Sequence, residues 1–402
     1  MDSEAAIPLD DALGIVDRAI AENTLSRRQV AVREAAGQTL AVDQVSALQL
    51  PPFDKAAMDG YAVAEGDVRD RYQVLETVSA GSTPRVSLRP GTAVKVMTGA
   101  PVPAGTGQVI PIEHVRSQGD LIELTRPTGA RNICPQGEDV RVGDVVLRAG
   151  TRLGALEIAN LIGCGITEVE VFRPLRLAVL STGDEIADDP RKLGPGKIMN
   201  TNGPMLALLG QQFSMDVVLE ESLPDDRAAT VAAIAVAVPR ADLVALSGGV
   251  SVGDRDFVGM AMADAGLRVH FSAVAVKPGR PLTFASRPGV VVFGLPGNPV
   301  SVYVMFHLFV RRAAARFCGS DWSPGEIPLS LGREFRRRRT DRLEYVPSRI
   351  GDDGAVVPVE FHGSGHLTAL IEADGLLVVP VGVAMLAAGQ CVRFLPLMKG
   401  WR

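Results

Sequence analysis

Four cysteines in 402 residues, Cys134, Cys164, Cys318 and Cys391, lie far apart and never form a Cys-x-x-Cys pair. That scarcity argues against a disulfide framework or a zinc ribbon and fits a reducing compartment. Basic charge is also in short supply, with 41 Lys and Arg against 46 Asp and Glu, a net charge of -5. No overall footprint for nucleic acid follows, so an anionic partner must be met by a local basic pocket. No apolar run reaches the roughly 18 to 20 residues of a membrane span, and the first residues, MDSEAAIPLDDALG, are acidic where a secretory leader is basic. Repeats and low-complexity segments are missing too. These absences describe a soluble cytoplasmic protein with neither a nucleic-acid nor a membrane partner.

What is present is apolar content of 47% over a length that exceeds one core, so two to four domains are expected. Asp10 to Asn23 has apolar residues at helical spacing behind an aspartate placed to cap it. From Pro51 to about Gln136, short alternating runs such as YQVLETVSA and GQVIPIE, with Gly and Pro turns, predict a small β domain. Helix returns over Leu153 to Ile162. Between Leu175 and Phe317 strands such as LRLAVLS, ADLVALS and GVVVFGL alternate with helices and lack clean polar alternation. That pattern is the signature of a doubly wound parallel α/β sheet covered on both faces. After Ser323-Pro324-Gly325 the chain becomes β again, predicting a small barrel or sandwich.

In an open parallel sheet the ligand lies beyond the carboxyl ends of the strands. Three turns leaving those strands are unusual: STGDEI, SGGVSVGDRD and PGNPVS. The glycine-rich one, Leu246 to Phe257, lacks the lysine of an ordinary phosphate loop. In the third, Asn298 can cap and Pro299 can open a helix whose free N–H groups suit an anion, and Asn202 before Gly203-Pro204 repeats that logic. Taken singly each is also a good helix start; their coincidence on one edge favours a ligand. Glu185 and Asp256 sit in the same turns, where carboxylates and phosphate oxygens together suit Mg2+. The competing reading has Asp184 and Asp254 capping helices and the other two facing solvent. Lys277 and Arg280 flank a Pro-Gly turn and suit a tetrahedral oxyanion.

The run of arginines at 336–339 sits among Glu334, Asp341 and Glu344, which reads as a solvated β edge rather than a nucleic-acid patch. His362 and His366 are separated by Gly-Ser-Gly, which breaks the helix that would align two metal ligands.

Longer motifs carry a resemblance. PPFDKAAMDGYAV (Pro51 to Val63), MTGAPVPAGTGQVIPIE (Met97 to Glu113), GEDVRVGDVVLRAGTRL (Gly137 to Leu153), STGDE, NTNGPML, SGGVSVGDRD, KPGRP and GLPGNPVS occur in this order. With them the chain resembles the molybdopterin molybdenumtransferase family, the MoeA type that also forms the E domain of gephyrin. The resemblance implies an elongated homodimer of four-domain subunits: a discontinuous linker domain (1–52 and 137–172), an inserted β domain (53–136), a MogA-like α/β molybdopterin-binding domain (173–322) and a C-terminal β domain (323–402). It implies molybdenum cofactor biosynthesis, in which adenylylated molybdopterin from an upstream molybdopterin adenylyltransferase receives molybdate with Mg2+ and releases AMP. The active cleft of such proteins joins the α/β domain of one subunit to the inserted domain of the other.

Carried over position by position, catalytic roles fall on Asp59, Thr98, Asp139, Glu185 and Asp225, and metal contacts on Asp256 and Glu185. Gly248, Gly249, Ser251 and Gly253 would admit the pterin phosphate. Lys277, Arg280 and Ser301 would hold molybdate, Pro296 and Pro299 would shape the loop, and Ser364 would reach in from the last domain. Two positions depart from the family pattern. Cys134 in NICPQGED stands where arginine is expected, and Ala273 stands where a basic residue commonly precedes KPG. Arg131 is the nearest substitute for the arginine. These losses leave room for an alternative, a paralogue impaired in turnover that binds molybdopterin or acts as a scaffold. A related adenylylating enzyme is disfavoured because its loop carries GGTG where this chain has GGVSVG.

Overall fold

The computed structural model describes residues 6–21, 23, 25–127, 129–249 and 257–397. The candidate residues Ser251, Gly253, Asp254 and Asp256 lie outside them.

At the centre is a six-stranded sheet. Its elements in chain order are β1 (Arg176–Thr182), α1 (Asn202–Gln212), β2 (Asp216–Leu223), α2 (Arg227–Ala237), β3 (Leu243–Ser247), α3 (Val258–Asp264), β4 (Arg268–Ala273), β5 (Pro281–Arg287), β6 (Val290–Leu295) and α4 (Pro299–Met305). The strand order is β2-β1-β3-β6-β5-β4. The first four strands run parallel; β5 opposes them, forming a hairpin with β6, and the edge strand β4 pairs antiparallel with β5. β1, β3 and β6 are buried along nearly their whole length, as strands covered on both faces must be. One face packs Leu177, Val179, Leu243 and Phe293 against α1 and the 299–317 helix. The other packs Ala178, Leu180, Val244 and Val292 against α2 and α3.

The helical stretch opened by Pro299 is interrupted. Phe306–Val310 form a π-helical turn between α4 and the helical segment Arg311–Phe317. The N-terminal helix spans Leu9–Ile20 with Pro8 before it and without a side-chain cap, so Asp10 falls inside the first turn. There it and Asp11 favour the helix dipole instead. Ala12, Val16 and Ile20 join the core of the central sheet, and Asp17 pairs with Arg312 at 2.7 Å.

Two chain pieces distant in sequence build one small core. Arg27–Ala31 pairs with Glu168–Phe172, and Val32, Leu40, Leu153, Leu161 and Val171 pack together. Between these pieces a second six-stranded sheet forms from segments between Gly60 and Leu124. Its strand Gly60–Ala64 sends Ala62 to one core and Tyr61 and Val63 to another, the period of two expected of a strand.

The C-terminal sheet contains Ile327–Ser330, Leu343–Ile350, Gly375–Val379 and Cys391–Pro396. Val276–Lys277 adds to it as a further strand, parallel to Leu343–Glu344. The Pro-Gly turn that carries Lys277 is therefore tied to the last region as well as to the central sheet.

Candidate functional site

The strand ends converge on one cavity of about 950 Å3. β1 delivers Ser181 and Thr182, β3 delivers Ser247 followed by Gly248 and Gly249, and β6 leads into Pro296 and Gly297. These are carboxyl ends of parallel strands, where side-chain density is low and backbone is accessible. Glu185, Asp225, Lys277, Arg280, Pro299, Ser301 and Ser364 complete the sequence-predicted lining. The volume is near the upper end of the roughly 300–1,000 Å3 common for ligand pockets, which suits a large ligand.

The glycines are required by contact. At Gly248, with φ of +93°, an added Cβ would fall 2.1 Å from the Thr182 carbonyl oxygen, so the loop can pass β1 only as glycine. Gly279 has φ of +111°, and a Cβ there would meet Met305 at 2.7 Å, which packs the cation-bearing turn on α4.

Thr182 Oγ1 donates to Asp225 Oδ1 at 2.7 Å, and Asp225 N–H donates to Asp184 Oδ1 at 3.1 Å. Asp225 is thus held with one oxygen engaged, while Asp184 braces a loop and caps no helix. Ser181 Oγ and Asn202 Oδ1 are buried without a hydrogen-bond partner, and both residues line the cavity. Buried polar atoms left unpaired are costly, and both belong to residues of the cavity lining.

Two capping expectations need correction. The Asn298 side chain does not cap α4; its Nδ2 donates to Ser364 Oγ at 2.8 Å, and Val300 N–H donates to the Ser364 carbonyl at 3.0 Å. The helix start is therefore closed partly by the C-terminal region. Asn202 does not cap α1; its Nδ2 donates to the Gly297 carbonyl at 2.7 Å, whereas Asn200 Oδ1 accepts from Gly203 N–H at 3.1 Å. The arginine run is also not a uniformly solvated edge. Arg337 is buried against Glu344, because a carboxylate seven residues on supplies its counter-charge.

Asp59, Thr98 and Asp139 do not line this cavity. Asp59 Oδ1 accepts from both Thr98 N–H and Thr98 Oγ1, each at 2.7 Å. Those bonds, with the Lys95 charge nearby, hold the Asp59 carboxyl below the usual carboxylate range. Both residues are exposed. Asp139 is exposed as well, its N–H donating to the Leu50 carbonyl at 2.9 Å. Cys134 pairs across a two-stranded ladder with Lys55, while Arg131 Nε donates to the Gly107 carbonyl at 3.1 Å.

Arg342, Asn200 and Ser181 line the cavity and were not singled out as site residues from the sequence. Ser181 and Asn200 stood within quoted turns, so a search of every polar residue there finds them. Arg342 carried no signal, lying in a loop of a different region beside four other arginines.

Comparison with known proteins gives the family. Residues 7–165 match the MoeA N-terminal region (domain I and II), 178–316 a probable molybdopterin binding domain, and 330–397 the MoeA C-terminal region (domain IV). A molybdopterin molybdenumtransferase of Staphylococcus aureus (strain MRSA252) is 32% identical over 398 residues, covering 96% of this chain and 94% of the relative. One from Staphylococcus epidermidis (strain ATCC 12228 / FDA PCI 1200) is 32% identical over 370 residues, covering 89% and 88%. The crystal structure of the molybdopterin biosynthesis MoeA protein from Pyrococcus horikoshii OT3 superposes with a TM-score of 0.82 at 30% identity, covering 98% of this chain and all of that one. Fold, cavity and relatives define a multidomain transferase of molybdenum cofactor biosynthesis. The chain belongs to the molybdopterin molybdenumtransferase (MoeA) family.

Proposed function

We propose that this chain inserts molybdate into adenylylated molybdopterin in an Mg2+-dependent reaction that releases AMP. The observation that carries the reading is the convergence of Glu185 and Asp225 with Lys277 and Arg280 on one glycine-edged cavity. Gly248 and Gly249 let backbone approach a phosphate, and Lys277, Arg280 and Ser301 present donors to an oxyanion.

Among the described residues no group of three or more His, Cys, Asp or Glu is arranged to hold a metal. The exposed Glu185 carboxylate still fits a cation that takes one or two protein carboxylates plus substrate oxygens, with Asp256 as the second on the family pattern. Mg2+ bound there would neutralise phosphate charge at the scissile anhydride. Asp225, steadied by Thr182, would accept a proton or hydrogen bond from the substrate.

Asp59, Thr98 and Asp139 are read as the contribution of the second subunit of a homodimer. Exposed apolar residues support such pairing: Val45, Leu48, Val142, Val145, Leu156 and Ile162 sit on the two linker segments, with Val45 and Val145 direct strand partners. The domain division given above, a cytoplasmic location and an upstream adenylyltransferase belong to the same reading.

The test is AMP release from adenylylated molybdopterin, with and without Mg2+ and molybdate. Release that ignores both ions sinks the reading. A second reading, an impaired paralogue that binds the pterin nucleotide without turnover, draws on Ala273, 8% exposed, and Cys134 at the expected basic positions. Tight binding with no molybdate-dependent release would select it.

A further inference from the structure

The Lys277 ammonium is held at the cavity wall by a carboxylate from another region of the chain. Its Nζ lies 2.6 Å from Glu344 Oε1, and Glu344, 6% exposed, turns Oε2 to Arg337 at 3.1 Å. Arg337 is buried and donates to the carbonyls of Val383 at 2.7 Å, Arg342 at 2.9 Å, and Pro380. Lys277 and Glu344 are direct partners in the parallel ladder that adds Val276–Lys277 to the C-terminal sheet. The arginine that anchors the carboxylate therefore also fixes the backbone of Arg342, another residue of the cavity lining.

A lysine is a point charge on a flexible four-carbon stem, and aiming it at a small oxyanion requires a second group to fix its end. Glu344 can do so without erasing the positive charge, because Arg337 balances it and the three groups together stay at +1. We infer that Glu344 is a positioning residue for Lys277, setting the place of the ammonium that meets the oxyanion. This rests on the proposed role of Lys277 as a molybdate contact.

Charge and position predict opposite signs, which makes the inference testable. If the carboxylate acted only as nearby negative charge, Glu344→Gln would make the cavity more positive and lower the KM for molybdate. If it positions Lys277, the same change releases the ammonium and raises that KM, here expected at about five- to tenfold, with kcat and the affinity for adenylylated molybdopterin little changed. In a Lys277→Ala background the Glu344→Gln change should add nothing further. Glu344→Asp, which retains the charge balance with Arg337, gives the same readout in a second fold-preserving variant, with a smaller rise in KM; melting temperatures verify folding of each.

A lowered or unchanged KM in both Glu344 variants, or effects of Glu344 and Lys277 that multiply independently, overturns the inference while leaving the molybdate reading intact. A Lys277→Ala protein with unaltered KM for molybdate overturns the underlying reading instead.

Discussion

The cavity at the carboxyl edge of the central sheet and the corner that carries Asp59 and Thr98 contrast in how they are built. The cavity gathers polar and charged groups from β1, β3, β6, the Lys277 turn and the C-terminal region, and leaves two buried polar atoms without partners. The corner is an exposed, satisfied pair: Thr98 gives Asp59 two hydrogen bonds, and the pair does not reach the cavity. A concave site lined by charges of both signs fits a bound ligand, whereas an exposed pre-formed pair fits a surface completed by another molecule. The contrast teaches that residues brought together by a family pattern need not be brought together by one chain.

The backbone offers the most forceful way to break that contrast. Gly248→Ala puts a Cβ against the Thr182 carbonyl at a positive φ, and it should cost more than about 3 kcal/mol or prevent folding. Gly99, in the corner, also has positive φ (+80°) but nothing within 4 Å of its added Cβ. Gly99→Ala should therefore cost only the conformational strain, about 1 kcal/mol. Urea unfolding of the two variants measures the difference, and equal losses would show that the cavity edge is not tightly packed.

Asp59→Asn and Asp225→Asn should each reduce molybdate-dependent AMP release by roughly 100-fold or more. If corner and cavity meet across subunits, mixing the two variants after reversible dissociation restores activity to about a quarter of wild type, since half the dimers are mixed and each has one intact site. Activity that stays flat on mixing would place both residues in a site of one chain.

The amino edge of the same sheet supplies a control for stability without chemistry. Asp242, 3% exposed, receives Arg173 at 2.6 Å and Arg176 at 2.8 Å. Burial pushes its carboxyl up, but hydrogen bonds from Arg173 and Arg176 outweigh that and hold it below the usual range. A lowered folded-state pKa means this stabilisation is complete above the unfolded value near about 4 and is lost as pH falls through the lower folded value. Asp242→Asn should cost roughly 2 kcal/mol near neutral pH, discounted because both arginines are partly exposed, and should weaken the acid sensitivity below about pH 4. Thermal melts between pH 2 and 7, with turnover at pH 7 unchanged per folded molecule, check both statements.

Much of the fold was legible because period and burial agree along the chain. LRLAVLS, ADLVALS and GVVVFGL read as buried parallel strands and are β1, β3 and β6. The turns after them were legible as neighbours on one edge for the same reason: strand direction fixes which ends share the cavity. The capping roles of Asn202 and Asn298 were misread because local sequence shows a cap's neighbours and not its long-range partners, here Gly297 and Ser364. Arg337 and Arg342 were hidden for a related reason. A run of arginines has one composition, yet pairing with Glu344 buries Arg337, whose bond to the Arg342 carbonyl ties a later arginine of the cavity lining to it. The antiparallel edge and the π turn were invisible to periodicity, since both depend on how neighbours pack.

The smallest expected effect bears on the corner's missing arginine. Lys55 and Cys134 are direct partners in an antiparallel pair, so their side chains share one face and a cation at either position reaches nearly the same volume. Arg131, the substitute suggested by sequence proximity, is instead engaged with the Gly107 carbonyl. Lys55→Ala should raise the KM for adenylylated molybdopterin about fivefold, the size expected for one partly exposed charge contact, and adding Cys134→Arg should recover most of that loss. Were Lys55 unused, its removal would leave KM where it is and Cys134→Arg would improve binding equally with or without the lysine. Titrating pterin nucleotide against the four proteins of this cycle separates the outcomes. Recovery specific to the Lys55→Ala background would make the corner a cationic half-site carried by a different strand, rather than one that has lost its charge.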